Sequence, residues 1–355
     1  MASVILRRLS KVYDGGIQAL HHVDLDVVDG ELLVLLGPSA AGKTSILRCI
    51  AGLDEPTTGE IVIGERLVTN VPPAERDVAM VFQNHALYPH LTVRENIAFP
   101  LEMRGVSGSQ MARRVAEAAE RVGITAQLER YPAQLSEGER QRAALGRAIV
   151  RGPQAFLLDE PLSRLDARLR IELRAELLRL HRGLGATMIY ATSDQTEAMT
   201  MGDRIAVLHE GRLRQIGTPA DVYQRPADVW SARIVGTPGM NVLQGRGRGA
   251  GEAGRVIEVG SLAVPVELST YEGEIQLGVR PEHVGLCAVD QGVGNADVLV
   301  VEPLGSETLV HLNAGGQPLV ARLAGFADVR VGTRVGVKLD RRRLYLFDSA
   351  GAPLA

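Results

Sequence analysis

The chain has 355 residues, 45% of them hydrophobic and 23% charged, which is enough apolar material for two packed cores. A net charge of −3 supplies no positive field to hold nucleic acid or anionic lipid, and the apolar runs fall far short of the roughly 18 residues a membrane span needs. Arg7 and Arg8 interrupt any signal-peptide core, and Cys49 and Cys287 alone make no disulfide framework, so a cytoplasmic protein without nucleic-acid partners is expected.

In chain order, VILRRLSKVY and IQALHHVDLDVV alternate with period two, as an antiparallel edge sheet would. ELLVLLG then reads as a strand buried on both faces, and KTSILRCIAGL as a helix that Gly52 terminates. From Tyr88 to about Gly152 the reading is helical, with Met111, Val115, Ala118 and Val122 on one stripe and Leu145 and Ile149 on another. Strand and helix then alternate: AFLLDE, an amphipathic helix through Leu165, Leu169, Leu173, Leu177 and Leu180, TMIYAT, and RIAVLHEG. This pattern predicts an α/β unit with a covered parallel sheet over residues 1–235, interrupted by a helical subdomain at about 88–152. Beyond Gly236, short glycine-broken strands predict an all-β barrel over 236–355, and the stretch GRGRGAGEAG at 245–254 reads as a loose loop.

Between the buried strand and its helix lies Gly37-Pro38-Ser39-Ala40-Ala41-Gly42-Lys43-Thr44, the pattern G-x-x-x-x-G-K-[ST] in the context a phosphate-binding loop requires. Backbone N–H groups at the helix N-terminus would wrap phosphates, Lys43 would reach the β and γ oxygens, and Thr44 would ligate Mg²⁺. A plain glycine turn before a helix is the bland alternative. Lysine usage favours the sharper reading: of 39 basic residues only Lys11, Lys43 and Lys338 are lysine, so a slim point charge is specifically required at position 43. Phe156 to Glu160 is an apolar strand ending in two carboxylates, where Asp159 would hold the metal shell and Glu160 would polarise an attacking water. Acidic residues merely opening the next helix would be the structural alternative.

With these motifs in place the sequence resembles the ABC transporter ATPases, and within them the subunits that energise binding-protein-dependent sugar import. The ordered segments are Tyr13, GPSAAGKT, VFQNHALYPHLTVRENIAFPL around Gln83, LSEGERQR, FLLDEP, SRLD ending at Asp166, SDQTEAM and DRIAVL. In the tail, GTPGMN, GVRPEHV and VEPLGSETLV look like that family's regulatory domain, an oligonucleotide-binding-type barrel that binds no nucleic acid. The expected fold is therefore an α/β P-loop NTPase with a C-terminal all-β barrel. The resemblance implies adenine stacking on Tyr13 and nucleotide contacts from the loop through Ser45. It implies signature contacts from Ser136, Gly138 and Asp166 of a second ATPase chain, like or paralogous, and a catalytic set of Glu160, Gln83 and the residue at 193. Gln83 would also reach the metal with Thr44 and Asp159. Two transmembrane permeases would dock on ALYPHLTVREN, around Leu87 and Tyr88, at the cytoplasmic face of the membrane, with a solute-binding protein acting through them.

Three motifs depart from that family. Its LSGGQ signature is Leu135-Ser136-Glu137-Gly138-Glu139, which adds two carboxylates; Glu137 must meet solvent or an arginine such as Arg140 or Arg142, while Ser136 and Glu139 also form a capping box. The switch histidine is replaced by Ser193, which carries no positive charge and whose structural alternative is a helix N-cap; His21, His22, His181 and His209 are poor substitutes by position. Ala40 replaces a glycine and narrows the allowed backbone angles. These changes leave open a weakly hydrolysing regulatory subunit that needs a paralogous ATPase. A soluble ABC ATPase acting on DNA or ribosomes is disfavoured by the single P-loop and the lack of a coiled-coil insertion.

Overall fold

The structure, a computed structural model, describes residues 2–248, 255–266 and 273–354. The chain divides into two units, Met1–Pro219 and Ala220–Ala355.

The first unit opens with the antiparallel pair β1 (Val4–Val12) and β2 (Gln18–Val27), followed by the wholly buried β3 (Leu32–Leu36) and α1 (Lys43–Ala51). β4 (Thr58–Ile63) and β5 (Arg66–Leu67) extend the pair into a four-stranded sheet of order β2-β1-β4-β5. Then come β6 (Val78–Val81) and three helices, α2 (Val93–Glu102), α3 (Gly108–Arg121) and α4 (Glu137–Ile149). β7 (Ala155–Asp159), α5 (Ala167–Leu184), β8 (Thr187–Thr192), α6 (Gln195–Met201), β9 (Arg204–His209) and β10 (Arg212–Gly217) complete the unit.

The apolar runs form the centre of a six-stranded sheet of order β10-β9-β3-β8-β7-β6, parallel throughout except for the β10 edge. Every residue of β3, β7 and β8 is buried, because helices on one face and the antiparallel sheet's core on the other exclude water from both sides. One core joins Leu6, Leu9 and Leu20 of the antiparallel sheet to Ile46, Leu47 and Ile50 of α1 and to Leu33, Leu35, Leu157 and Ile189 of the parallel sheet. The register sets Leu36 beside Thr192 and Asp159 beside Ala191, so the chain leaves β3, β7 and β8 at one edge. Ligands of open α/β sheets bind outside such carboxyl ends.

Helix ends follow the sequence closely. Gly52 ends α1 at φ +77°, its N–H reaching the carbonyls of Arg48 and Cys49. The helix expected through Leu165 instead starts at Ala167, because the Asp166 side chain accepts from Leu169 N and caps it; Leu165 is buried ahead of the cap. Both cysteines are free, and burial pushes the Cys49 thiol up to about 11.

In the second unit, α7 (Pro219–Gln224) and α8 (Val229–Ile234) precede β11 (Asn241–Arg248), β12 (Arg255–Val259), β13 (Leu262–Val266) and β14 (Gly273–Val279). β15 (Val284–Cys287), β16 (Asn295–Pro303), β17 (Glu307–Ala314), β18 (Gln317–Ala324), β19 (Arg334–Leu339) and β20 (Leu344–Phe347) follow. Two antiparallel sheets, β13-β12-β11-β14-β20 and β15-β19-β16-β17-β18, enclose one core that includes Leu243, Ile257, Leu277, Val298, Val310 and Val337.

The loose loop expected at 245–254 is corrected over its first part. Gly245 to Gly247 continue β11 and pair with Ile275, Glu274 and Gly273, and Arg246 to Arg248 also pair with β12. A Cβ at Gly245 would lie 2.6 Å from Val259 Cγ2, so close packing selects the glycine that made the sequence look loop-like. Residues 249–254 lie outside the described residues. Arg280 of GVRPEHV is 1% exposed; its guanidinium lies 3.5 Å from the centroid of Tyr223 and donates to the Val235 carbonyl, so it serves the packing of this unit.

Candidate nucleotide site

The loop 37–42 follows β3 and is anchored at its base, where Gly37 N donates to Thr192 O. Its two glycines are required by close approach: a Cβ at Gly37 would lie 2.5 Å from Leu208 O, and one at Gly42 would lie 2.9 Å from Ala19 O. Gly42 caps α1 at φ +99°. Ala40 sits at φ +64°, a left-handed backbone that costs an L-residue about 1–2 kcal/mol, so its substitution for glycine strains the loop rather than merely narrowing it. Pro38, Ser39 and Ala40 form the exposed tip, and Ala41 is buried.

Lys43 runs back under this tip. Its Nζ donates to the carbonyls of Gly37 at 2.8 Å and Pro38 at 2.9 Å and lies 3.3 Å from Glu160 Oε1, with only 4% of the side chain exposed. Thr44 Oγ1 donates to Asp159 Oδ1 at 2.9 Å. Burial raises the Asp159 carboxyl above its ordinary value, an effect the Thr44 hydrogen bond opposes. Glu160 sits at φ +45°, held by its N–H to Ala191 O and by Ser163 Oγ donating to its carbonyl. Such a backbone persists only where its surroundings fix it, and here it turns the carboxylate toward Lys43. Gln83, exposed on the loop after β6, offers its amide to Glu160 Oε2 at 3.4 Å and Ser163 Oγ at 3.3 Å.

These contacts bring Lys43, Thr44, Gln83, Asp159 and Glu160 to one place from three separate segments. Tyr13 joins from the β1 end: its hydroxyl donates to Asp54 at 2.7 Å and lies 3.1 Å from Ser45 Oγ, with Lys11 Nζ 4.9 Å from the ring. Arg48 hydrogen-bonds to Asp54, which holds that carboxyl below its ordinary value.

The signature residues group differently. Ser136 caps α4 with a complete box: Glu139 N donates to its hydroxyl, and Glu139 Oε2 receives Ser136 N at 2.7 Å and Ser136 Oγ at 2.9 Å. Gly138 packs against α5, where a Cβ would lie 2.9 Å from Leu169 Cδ2. Asp166 caps α5 through Leu169 N. Ser136, Gly138 and Asp166 thus mark two neighbouring helix N-termini, and their hydrogen bonds go to their own helices.

Glu137 finds a partner the sequence did not point to. Arg140 pairs with it at 2.6 Å, as one of the two arginines considered, while Arg142 pairs instead with Glu176. Its other oxygen lies 2.9 Å from Nε2 of His85, and this hydrogen bond, ahead of Arg140, holds the carboxyl below its ordinary value. The only sequence signal for His85 was an extra charge at 137 in need of a partner; 52 residues separate them and no periodicity links them.

Ser193 is exposed at the end of β8 and does not cap α6. Asp194 does, accepting from Thr196 N and Glu197 N, so the structural alternative for Ser193 is withdrawn. His181 is a packing histidine, its Nε2 3.1 Å from the Gly30 carbonyl.

The donor set suits a nucleoside triphosphate with a hard divalent cation. One threonine hydroxyl and one carboxylate face the same point, and Mg²⁺ characteristically takes few protein ligands beside phosphate oxygens. Among the described residues no cluster of three His, Cys, Asp or Glu offers a self-sufficient metal site.

Comparison with known proteins places the chain in a family. Residues 20–163 match the ABC transporter family and residues 277–347 the TOBE domain. The sn-glycerol-3-phosphate import ATP-binding protein UgpC of Cupriavidus necator is 46% identical, over 98% of this chain and 97% of that protein. The sulfoquinovosyl glycerol transport ATP-binding protein SmoE of Agrobacterium fabrum is 47% identical over 98% of each. A solved ATP-binding cassette, in a dimeric post-hydrolysis state bound to ADP and Pi, superposes with a TM-score of 0.56 at 30% identity, covering 61% of this chain and 98% of that one. The chain belongs to the ABC transporter ATPases, as an ATP-binding subunit of the sugar-importer type.

Proposed function

We propose that this ATPase subunit energises import of a polar, glycerol-linked or sugar solute, working as a closed dimer at the cytoplasmic face of the membrane beneath two transmembrane permeases. The observation that carries it is the convergence of Lys43, Thr44, Gln83, Asp159 and Glu160 at the carboxyl edge of the parallel sheet. Two near-full-length relatives bear the names of glycerol-linked anionic solutes, which supports that solute class.

In this reading Lys43 exchanges the Gly37 and Pro38 carbonyls for the β and γ phosphates of ATP, and α1 presents its N-terminal N–H groups to them. Thr44 and Asp159, with Gln83, would hold Mg²⁺, which when bound neutralises charge between the phosphates. Glu160 orients the attacking water and accepts its proton, and the Gln83 amide fixes that carboxylate. Tyr13, braced by Asp54, presents its ring to adenine. Ser136, Gly138 and Asp166 stand on their own helices, as residues would that complete the site of a second ATPase chain. The permeases would seat a helix in the groove lined by Phe82, Tyr88, Phe99, Met103 and Arg147, where the Tyr88 and Phe99 rings meet at a 48° tilt with centroids 4.7 Å apart. Among the described residues no helix is long and apolar enough to cross a membrane, so these subunits would supply the spans and relay the solute-binding protein.

The test has two arms. Mg-ATP hydrolysis by the purified chain should rise with the square of concentration at the dilute end and vanish in Glu160→Gln. Cells lacking this chain should lose uptake of labelled sn-glycerol 3-phosphate or a sugar glycoside, and regain it with the native chain but not with Glu160→Gln. Intact uptake of every such solute would overturn the solute class, and linear, variant-insensitive hydrolysis would overturn the dimeric site.

A further inference from the structure

His85 is 4% exposed, yet its Nε2 lies 2.9 Å from a carboxylate oxygen of Glu137. An ionised carboxylate only accepts, so this ring nitrogen carries the hydrogen. The other oxygen of Glu137 receives Arg140 Nη2 at 2.6 Å and Nε at 3.0 Å. One carboxylate thus joins a buried ring on the loop after β6 to the first turn of α4.

The two ends of this link sit beside the two halves of the site. His85 is two residues beyond Gln83, whose amide touches Glu160. Glu137 lies between Ser136 and Gly138. The same helix grips the loop a second time: Arg147 donates to the carbonyls of Ala86 at 2.7 Å and His85 at 3.0 Å. Both residues adopt left-handed backbone, His85 at φ +59° and Ala86 at φ +47°, a conformation that persists because these contacts over-determine it.

We propose that His85 and Glu137 are positioning residues for ATP hydrolysis: their hydrogen bond registers the Gln83 loop against the N-terminus of α4, so that moving either element moves the other. The extra signature carboxylate is therefore engaged within its own chain and serves to couple the two segments. The inference rests on the reading that Gln83 and Ser136 both serve nucleotide sites.

The test uses the full chain with His85→Ala, Glu137→Ala, the double variant and Glu137→Gln, with Gln83→Ala as reference. Each alanine variant should lower kcat about tenfold with KM for ATP within about twofold, and the double variant should be no worse than the poorer single one. Glu137→Gln, which keeps an acceptor for Nε2, should recover most of the rate. Independently of activity, hydrogen exchange without nucleotide should quicken over residues 83–88 in Glu137→Ala and over 137–141 in His85→Ala. Additive losses, or exchange changes confined to the mutated element, would overturn the coupling. If Gln83→Ala loses activity while the pair proves additive, the tie alone fails; if Gln83→Ala hydrolyses normally, the reading beneath it fails too.

Discussion

Lys43→Arg keeps the charge and changes only the shape, which makes it the sharpest probe of the phosphate loop. Nζ of Lys43 sits between two carbonyl oxygens at 2.8 and 2.9 Å and 3.3 Å from Glu160, in a channel that leaves 4% of the side chain exposed. A guanidinium is broader, planar and longer, so it must push the loop outward or withdraw from it. Overpacking of that kind costs about 1–3 kcal/mol. Losing a charge-assisted contact to phosphate costs roughly 1.5–3 kcal/mol. At about 1.4 kcal/mol per tenfold, Lys43→Arg should weaken ATP binding by about 10- to 100-fold. Lys43→Met, slim but uncharged, should lose at least as much. Calorimetric titration of both variants with Mg-ATP, beside their melting curves, measures this. Binding by Lys43→Arg within about threefold of the native protein, with an unchanged melting temperature, would show that shape is irrelevant there and that lysine scarcity carried no information.

Ala40→Gly relieves left-handed backbone at an exposed position, so it should stabilise the protein by about 0.5–1 kcal/mol, or about 1–4 °C in melting temperature; a lower melting temperature would refute the strain. Ser193→His returns a charge-capable donor at the exposed end of β8 and should raise Mg-ATP turnover on the order of tenfold, with no change expected in nucleotide affinity. Glu197 is 2% exposed and burial raises its carboxyl, while the hydroxyls of Thr192 at 2.7 Å and Tyr190 at 2.8 Å donate to it. A raised folded-state value means its stabilising contribution is full below the ordinary carboxylate range and is lost as pH rises through the raised value. Glu197→Gln keeps an acceptor and removes that dependence, so the melting temperature of the variant minus that of the native protein should climb between acidic and neutral pH; a flat difference would contradict the burial argument.

The sequence by itself determined the elements and the chemistry of the phosphate loop. Continuous apolar runs can be satisfied only by burial on both faces, so Leu32–Leu36 and Ala155–Asp159 had to be central strands, and a glycine-rich turn between such a strand and an amphipathic helix has one geometry open to it. Helix ends were legible because caps are local: Gly52 and the Ser136–Glu139 box depend on residues within one turn. The cap expected at Ser193 lay one residue off, because Asp194 instead accepts from the first N–H groups of α6.

Tertiary structure alone decided what meets across long separations. The pairing of Glu137 with His85, the bracing of Tyr13 by Asp54 and the hold of Ser163 on Gln83 join segments with no shared periodicity. It also decided that Gly245 belongs to a strand, because the lack of a side chain there answers to Val259 on the neighbouring strand rather than to its own neighbours in sequence. Local pattern fixes which elements form, since it reflects periodic burial and short-range hydrogen bonds; partner choice across the fold depends on packing that only the assembled sheet and helices define.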